Sequence, residues 1–233
     1  CSSDLEGEIL GENDEAATQD VSVGSIVFGA HKFSSKMIIV PAELLEDNAF
    51  NLVSFLGTVG GERIGRKENR EFTIGGGVGA PRGVVPSATS FSAAGANAIT
   101  FDDVQGLFHS VDPTYRANGT FMFHDAVVLI LRKLKDSQNR PLWIVDPLGS
   151  QPDSIMGKPY AINQHMESAP SSGKRTIAFG DFSKYKIRDV ANVRMRRLVE
   201  RYAEKDQEGF IIFKRADGAL LDAGTHPIKA LTH

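Results

Sequence analysis

Histidines are the residues of this sequence best suited to acid–base chemistry or metal binding, because the imidazole titrates near neutral pH. No two of the six histidines are four residues apart, so the HExxH zinc motif is absent. The single cysteine, Cys1, cannot build a cysteine-rich zinc site. His124 beside Asp125 is a possible acid–base pair, but a strand-end histidine next to a helix-capping aspartate explains both residues more simply. We therefore expect no catalytic residue, no metal and no cofactor.

Glycines are concentrated between residues 75 and 83, in the sequence GGGVGAPRG. Glycine-rich loops can hold phosphate groups, but this loop lacks the Lys-Ser/Thr pair that closes a Walker loop. It also lacks the strand-then-helix setting of a dinucleotide site. We expect a structural turn, and we keep an enzyme that binds a phosphorylated ligand at residues 75–83 as an alternative.

Arginines form the densest cationic group of the sequence, at Arg188, Arg194, Arg196, Arg197 and Arg201. Guanidinium groups bind carboxylates or phosphates in bidentate geometry, so this group can meet an anionic partner. A solvated face is the simpler interpretation. Carboxylate pairs such as Asp102 and Asp103 lie at predicted helix starts, where the helix dipole accounts for them.

The 233 residues include 26 basic and 29 acidic ones, a net charge of −3, which argues against tight binding of nucleic acid. No run reaches the roughly 18 apolar residues of a membrane helix, so no membrane contact is expected. The N-terminus is acidic and polar, unlike a secretory signal. The composition is that of one large or two small folded domains.

The element that organises the chain is a predicted amphipathic spine helix over residues 41–66. Its apolar residues recur at helical spacing, acidic residues lie near its start, and basic residues lie near its end. Pro41 suits the first helical position. Gly57, Gly60, Gly61 and Gly65 suggest either a bend or a closely packed neighbour.

Strands are predicted on both sides of this helix. Residues 21–30 and 33–40 have the pattern of two strands joined by a short turn, and residues 209–215 have that of a third. Asp217-Gly218 is typical of a hairpin turn. Thr100 is a candidate N-cap for a helix to Val111, and Asp125 for a helix to Leu134. Residues 1–20 are acidic, with little apolar surface, so we expect them to be mobile or to lie against another chain.

Several segments, in this order, resemble the major capsid proteins of tailed bacteriophages and prophages, which have the HK97-like fold. They are IVFGAHKFSSKMIIVPAELLEDNAF (26–50), ENREFTIGGGVGAPRGVV (68–85), NGTFMFHDAVVLILRKLKDSQNRPLW (118–143) and GFIIFKRADGALLDAGTHPIKAL (209–231). The resemblance covers roughly residues 5–231. It implies an α+β fold with a long spine helix, an extended hairpin, and peripheral and axial domains.

The resemblance also implies a division of the chain. Residues 1–36 are expected to form an N-terminal segment and the extended hairpin that lies over a neighbouring subunit. The peripheral domain is expected over residues 37–97 and 177–233, and the axial domain over 98–176. Candidate contacts between subunits are Glu12, Asp14, Lys32, Lys36, Arg63, Arg66, Arg194 and Arg197.

The implied function is structural: a head subunit, not an enzyme, that self-assembles into pentamers and hexamers of an icosahedral shell around double-stranded DNA. Expected partners are other copies, a scaffolding segment or protein, a portal, and packaged DNA in weak contact. Assembly is expected in the bacterial host cytoplasm, followed by residence in the virion. An encapsulin-like compartment is an alternative of the same fold. Some relatives join a lysine covalently to an asparagine beside a carboxylate. Lys32 or Lys36 with Asn192 and Glu200 is a candidate for such a lock, although no sequence feature marks these positions.

Overall fold

The computed structural model describes residues 26–46, 51–143, 154–222 and 224–233, with only the backbone at 191–192. It has ten strands and six α-helices over these residues. The strands are β1 (His31–Ser34), β2 (Ile38–Pro41), β3 (Thr89–Ser92), β4 (Thr120–Phe123), β5 (Ser154–Ile155), β6 (Lys158–Ile162), β7 (Arg175–Gly180), β8 (Tyr185–Leu198), β9 (Gln207–Leu220) and β10 (Ile228–Thr232). The helices are α1 (Ala42–Glu46), α2 (Leu52–Ile74), α3 (Val84–Ser87), α4 (Phe101–Ser110), α5 (Pro113–Arg116) and α6 (Asp125–Arg132).

The chain divides into two compact units, which are described separately. The helix–sheet unit contains residues 28–87 and 186–219, and the aromatic-core unit contains residues 88–185 and 220–233 with Ile26 and Val27. β3, β7 and β10 pair within one sheet, so residues 88–97, 177–185 and 220–233 belong to the same unit as residues 98–176. The peripheral domain over 37–97 and 177–233 and the axial domain over 98–176 stay predictions.

The long helix α2 starts later and ends later than predicted. Asn51 caps its N-terminus, since Asn51 Oδ1 accepts the Ser54 N–H at 3.0 Å. Its 23 residues span about 35 Å. It ends at Gly75, where a Cβ would lie 2.3 Å from the Pro81 carbonyl oxygen. The predicted single helix over 41–66 was therefore wrong in its bounds: Pro41 ends β2, α1 is short, and residues 47–50 lie outside the described residues.

A sheet packs on α2 in the helix–sheet unit. β9 is its central strand: β1 and β2 pair antiparallel with one edge of β9, and β8 pairs with the other. β1 and β2 are one strand path interrupted at Ser35, whose Oγ accepts the Ile212 N–H at 3.0 Å. Leu52, Leu56 and Ile64 of α2 pack against this sheet in two small clusters.

The predicted hairpin over residues 21–40 is not observed in its described part. Residues 26–30 contain no strand, and β1 pairs with β9 rather than with a preceding strand. Residues 1–25 lie outside the described residues. The predicted turn at Asp217-Gly218 was also wrong, since both residues lie inside β9, where Asp217 Oδ1 accepts the Gly218 N–H.

The aromatic-core unit is built on a mixed sheet in the order β3-β10-β7-β4-β6-β5. One cluster of 13 buried hydrophobic residues fills it. At its centre the rings of Phe121 and Phe179 lie 4.3 Å apart, and the ring of Phe108 packs 5.2 Å from that of Phe179. The unit therefore has a continuous core of its own.

Two helices of this unit begin at capping residues. Thr100 and Asp103 form a capping box at α4, as predicted for Thr100. At α6 the cap is His124, whose Nδ1 accepts the Ala126 N–H at 2.9 Å, rather than the predicted Asp125. The buried carboxylate of Asp103 loses hydration, which acts to raise its pKa, but hydrogen bonds from Thr100 and Ala94 lower the pKa overall.

Candidate functional site

The glycine-rich loop is part of the structural end of α2. The Gly83 N–H donates to the Gly75 carbonyl at 2.8 Å, and a Cβ on Gly83 would lie 2.6 Å from the backbone of Thr73 and Gly75. The loop thus closes on a helix C-terminus, the end whose partial charge repels phosphate. This geometry favours the structural turn over the alternative of a phosphate-binding enzyme.

Other candidates for chemistry have structural roles. The His124 imidazole caps α6, as described above, so its Nδ1 is engaged by a backbone N–H. A cavity of about 180 Å³ in the aromatic-core unit is lined by apolar side chains such as Phe101, Leu131 and Trp143. Over the described part of the chain, no group of three or more His, Cys, Asp or Glu residues could hold a metal ion. No helix there is both long and apolar enough to cross a membrane.

The sheet of the helix–sheet unit has two faces with different chemistry. One face packs on α2: Ile212 of β9 meets Gly60, and Lys214 reaches Glu68 of α2 at 3.0 Å. Met195 and Asp189 of β8 also point to this face, because Met195 lies next to Gly57 of α2 and Asp189 bonds Lys214. The side chains that alternate with these along each strand therefore lie on the other face of the sheet, which we call the open face.

The open face is cationic. Its exposed side chains include Lys186, Arg188, Arg194 and Arg196 from β8, with Arg215 from β9 and Lys32 from β1. Among the described strand residues whose side chains lie on this face, Asp217 carries the carboxylate. It is buried and accepts the N–H groups of Gly29 and Gly218. The open face therefore presents positive charge to whatever meets it.

A pair of like charges lies within this face. Lys32 and Arg215 are directly opposite each other in the β1–β9 ladder. Such a pair is destabilising in an isolated sheet. The Lys32 ammonium is placed over the Phe213 ring, 4.1 Å from its centroid, which offsets part of the cost.

The structure distributes the predicted contact residues over several positions. Lys32 and Arg194 lie on the open face, and Lys36 is exposed at the interruption between β1 and β2, with φ 62°. Arg63 and Arg66 are exposed on α2. Glu12 and Asp14 lie outside the described residues. Asn192 of the possible lock has no described side chain, and Glu200 is exposed.

Arg197 is a predicted contact residue whose guanidinium pairs with a carboxylate of the same chain. Its Nε and Nη2 donate to the two carboxylate oxygens of Glu208, each at 2.5 Å, across the β8–β9 ladder. This hydrogen bonding lowers the pKa of Glu208 and raises that of Arg197. Arg197 therefore stabilises the hairpin of β8 and β9 within the subunit.

Lys214 joins three elements of the helix–sheet unit. Its Nζ lies 3.0 Å from Glu68 of α2 and 3.1 Å from Asp189 of β8. Burial acts to lower the pKa of Lys214, but the hydrogen bonds with Glu68 and Asp189 raise it overall. This network holds β8 beside the helix.

Large apolar side chains remain uncovered in the helix–sheet unit. Val53 and Phe55 are 47% and 56% exposed near the start of α2, and Ile187 and Val193 are 52% and 56% exposed on β8. Val78 is exposed at the tip of the glycine-rich loop. Several large apolar groups left exposed on an edge strand and a helix are typical of an interaction surface.

Sequence reasoning missed Lys186, Arg215 and Phe55 as surface residues. Two basic residues spaced two apart, at 186 and 188 and again at 194 and 196, would have indicated one face of a strand. The signal was hidden because the apolar residues of 193–202 fit neither the helical nor the strand period. Phe55 fell within the predicted helix, whose buried stripe could not be separated from its exposed apolar residues.

These features are typical of a protein that works through its surfaces. The family model of the phage capsid family matches residues 2–232, and the chain belongs to this family. It is therefore a structural capsid subunit of the kind that forms phage heads, located in the virion and associating with copies of itself.

Solved structures have a similar fold. One is titled "Capsid of empty GTA particle computed with C5 symmetry" and has a TM-score of 0.78 and 24% identity, covering 94% of this chain and 80% of the other. The Microbacterium phage Oxtober96 structure has a TM-score of 0.71 and 18% identity, covering 94% and 77%. The Gordonia phage Cozz structure has a TM-score of 0.70 and 13% identity, covering 99% and 78%. Among curated proteins, none matches. The likeness confirms the predicted HK97-like α+β fold.

Proposed function

We propose that copies of this chain form pentamers and hexamers of an icosahedral shell that encloses double-stranded DNA. The observation that carries the proposal is the family match over residues 2–232. The similar fold of a particle computed with C5 symmetry supports it. Many copies with several weak contacts each stabilise such a shell, because symmetry closes every contact.

In this proposal the aromatic-core unit contains the axial domain, predicted over 98–176, and directs its loops to the centre of a capsomer. The helix–sheet unit contains most of the peripheral domain, and residues 1–36 reach a neighbouring subunit. Contacts between subunits involve Glu12, Asp14, Lys32, Lys36, Arg63, Arg66 and Arg194. Arg197, also a candidate, supports the contact surface by pairing with Glu208 within the subunit. The subunit performs no catalysis and binds no cofactor.

The remaining partners follow from the same role. A scaffolding segment or protein and a portal take part in assembly in the host cytoplasm. Packaged DNA makes weak contacts that depend on salt, because the net charge of the chain is −3.

Electron microscopy of particles from bacteria that express the complete gene tests the proposal. We expect closed particles of uniform diameter. A monomer stabilised by a phosphorylated ligand contradicts the proposal and supports the enzyme alternative. Shells that contain a protein cargo instead support the encapsulin-like alternative.

A further inference from the structure

The cavity of about 180 Å³ in the aromatic-core unit has a buried interior and an open rim. Among the side chains that line it, Val104 of α4, Leu131 of α6 and Ile155 of β5 are buried, at 2%, 4% and 6% exposure. Leu142 also lines the cavity and is 40% exposed. A solute can therefore enter at Leu142 and lose contact with water inside.

The chemistry of the lining selects an apolar ligand. Among the described side chains that line the cavity, the Trp143 indole N–H is the only polar group. A ligand with a charge or several hydrogen-bonding groups would leave them unpaired inside, at a large cost. Apolar cavities of this kind stay dry and take up apolar molecules. The lining therefore disfavours nucleotides, sugars and inorganic anions.

The size of the cavity limits the ligand to one ring. An apolar cavity of about 150 Å³ holds benzene, so about 180 Å³ has room for a six-membered ring with roughly one or two further heavy atoms. Met156 forms part of the wall, and its flexible thioether can adjust to the outline of the ring.

Trp143 is held in place as a wall of the cavity. The Arg132 guanidinium lies 5.3 Å from the centre of the indole ring, and the Tyr160 ring meets it edge-on at 5.7 Å. Arg132 Nη2 also donates to the Tyr160 hydroxyl at 3.2 Å, and the Tyr160 ring packs 5.3 Å from the buried ring of Phe123. These contacts tie Trp143 to the core, so the cavity is formed before a ligand arrives.

We infer that this cavity is a binding site for a small, neutral aromatic compound of one ring. The ligand gains the dispersion contacts that the walls of an empty cavity lack. The site lies inside one unit of a single subunit. The inference is therefore independent of shell formation, and it holds or fails separately from the proposed function.

Trp143 reports directly on the cavity because it is the only tryptophan of the chain. Dissociated subunits are titrated with iodobenzene, whose iodine atom quenches indole fluorescence on contact. We expect quenching that saturates, with half-saturation on the order of 0.1–1 mM. Added benzene should restore the fluorescence by competition. Quenching that rises linearly without saturation is collisional, and it would overturn the inference.

Benzoate tests the class of the ligand, because it has the same ring with a charged carboxylate. It should not restore the fluorescence at concentrations at which benzene does, since the lining offers the carboxylate no partner. Competition by benzoate as strong as that by benzene would contradict an apolar site.

Val104→Phe tests the location, because the larger side chain fills part of the cavity. The half-saturation concentration of iodobenzene should rise at least about tenfold. Val78→Phe is the matched control: it makes the same change at a residue that is 94% exposed in the helix–sheet unit, and it should bind like the wild type. Equal binding by Val104→Phe and Val78→Phe would remove the ligand from this cavity.

Thermal unfolding gives a readout that needs no variant, in case circular dichroism shows that Val104→Phe does not fold. Benzene at about ten times its Kd should raise the Tm of wild-type subunits by about 3–5 °C. Benzoate at the same concentration should leave the Tm unchanged. A Tm that does not respond to benzene would overturn the inference.

Discussion

The two units of this chain differ in how their hydrophobic side chains are buried. The aromatic-core unit gathers 13 buried hydrophobic residues into one cluster. Among the described residues, the helix–sheet unit has two clusters of four buried hydrophobic residues each. Its described part also leaves more large apolar side chains exposed than that of the other unit, although it is the smaller of the two. The first unit is stabilised by its own interior, and the second presents surface that neighbouring copies can cover.

This difference separates stability from assembly. Substitutions in the aromatic core should lower the free energy of unfolding of the subunit. Substitutions on the exposed parts of α2 and β8 should leave that free energy nearly unchanged and weaken association. The following predictions are given in order of decreasing effect.

Truncating the aromatic core has the largest expected effect. Phe179→Ala removes a fully buried ring that contacts Phe108 and Phe121. The cavity left behind should cost about 3–5 kcal/mol in the free energy of unfolding, measured by urea denaturation of dissociated subunits. A loss below about 1 kcal/mol would mean that this core is not the stabilising centre of the unit.

Phe55→Ser is the counterpart on the helix–sheet unit. Because Phe55 is 56% exposed, the free energy of unfolding of the subunit should change by less than about 0.5 kcal/mol. The free energy of association between subunits should weaken by roughly 1.5–3 kcal/mol, the value of burying a large apolar side chain. Sedimentation across a concentration series measures this shift. Unchanged assembly would remove Phe55 from the contact surface.

Two neighbouring glycines test the close packing of α2 on its sheet. A Cβ on Gly60 would lie 2.4 Å from Ile212 Cδ1, whereas a Cβ on Gly61 meets nothing within 4 Å. Gly61→Ala should stabilise the subunit by up to about 1 kcal/mol through helix propensity. Gly60→Ala should be less stable than Gly61→Ala by about 1–2 kcal/mol. Thermal unfolding of both variants checks the difference, and equal stability would contradict this packing.

The Arg197–Glu208 pair gives the smallest expected effect and a defined pH dependence. The hydrogen bonds from Arg197 lower the pKa of Glu208 below its ordinary value of 4.5. The stability it contributes is therefore complete above about pH 4.5 and is lost as the pH falls through the lowered pKa. Between pH 5 and pH 2, the free energy of unfolding should therefore fall less steeply in Arg197→Gln than in the wild type. An equal fall in both proteins would show that the pair contributes nothing measurable.

The sequence predicted elements that depend on local signals. Thr100 was predicted as an N-cap from its place just before an apolar helical stripe, and the structure adds Asp103 as its partner in a capping box. The strand over 209–215 was recognised from its composition, and the structure extends it to Gln207–Leu220. The long helix was found, but its start was not, because Asn51 caps it from inside an apparently continuous apolar pattern.

Features that depend on distant contacts could not be predicted. Asp217-Gly218 has the local signature of a turn, yet Asp217 is held inside β9 by the N–H of Gly29, 188 residues earlier. The split of residues 31–41 into β1 and β2 depends on the Ser35 hydroxyl meeting Ile212. The open face emerged only when β8, β9 and β1 were seen side by side, since its charges come from distant segments.

Hydrogen–deuterium exchange of β8 tests most directly whether neighbouring copies cover the helix–sheet unit. The exchange of residues 185–198 is compared between assembled particles and dissociated subunits, with β7 of the aromatic core as the internal reference. We expect β8 to exchange more slowly in particles while β7 stays unchanged. Equal exchange of β8 in both states would contradict the account.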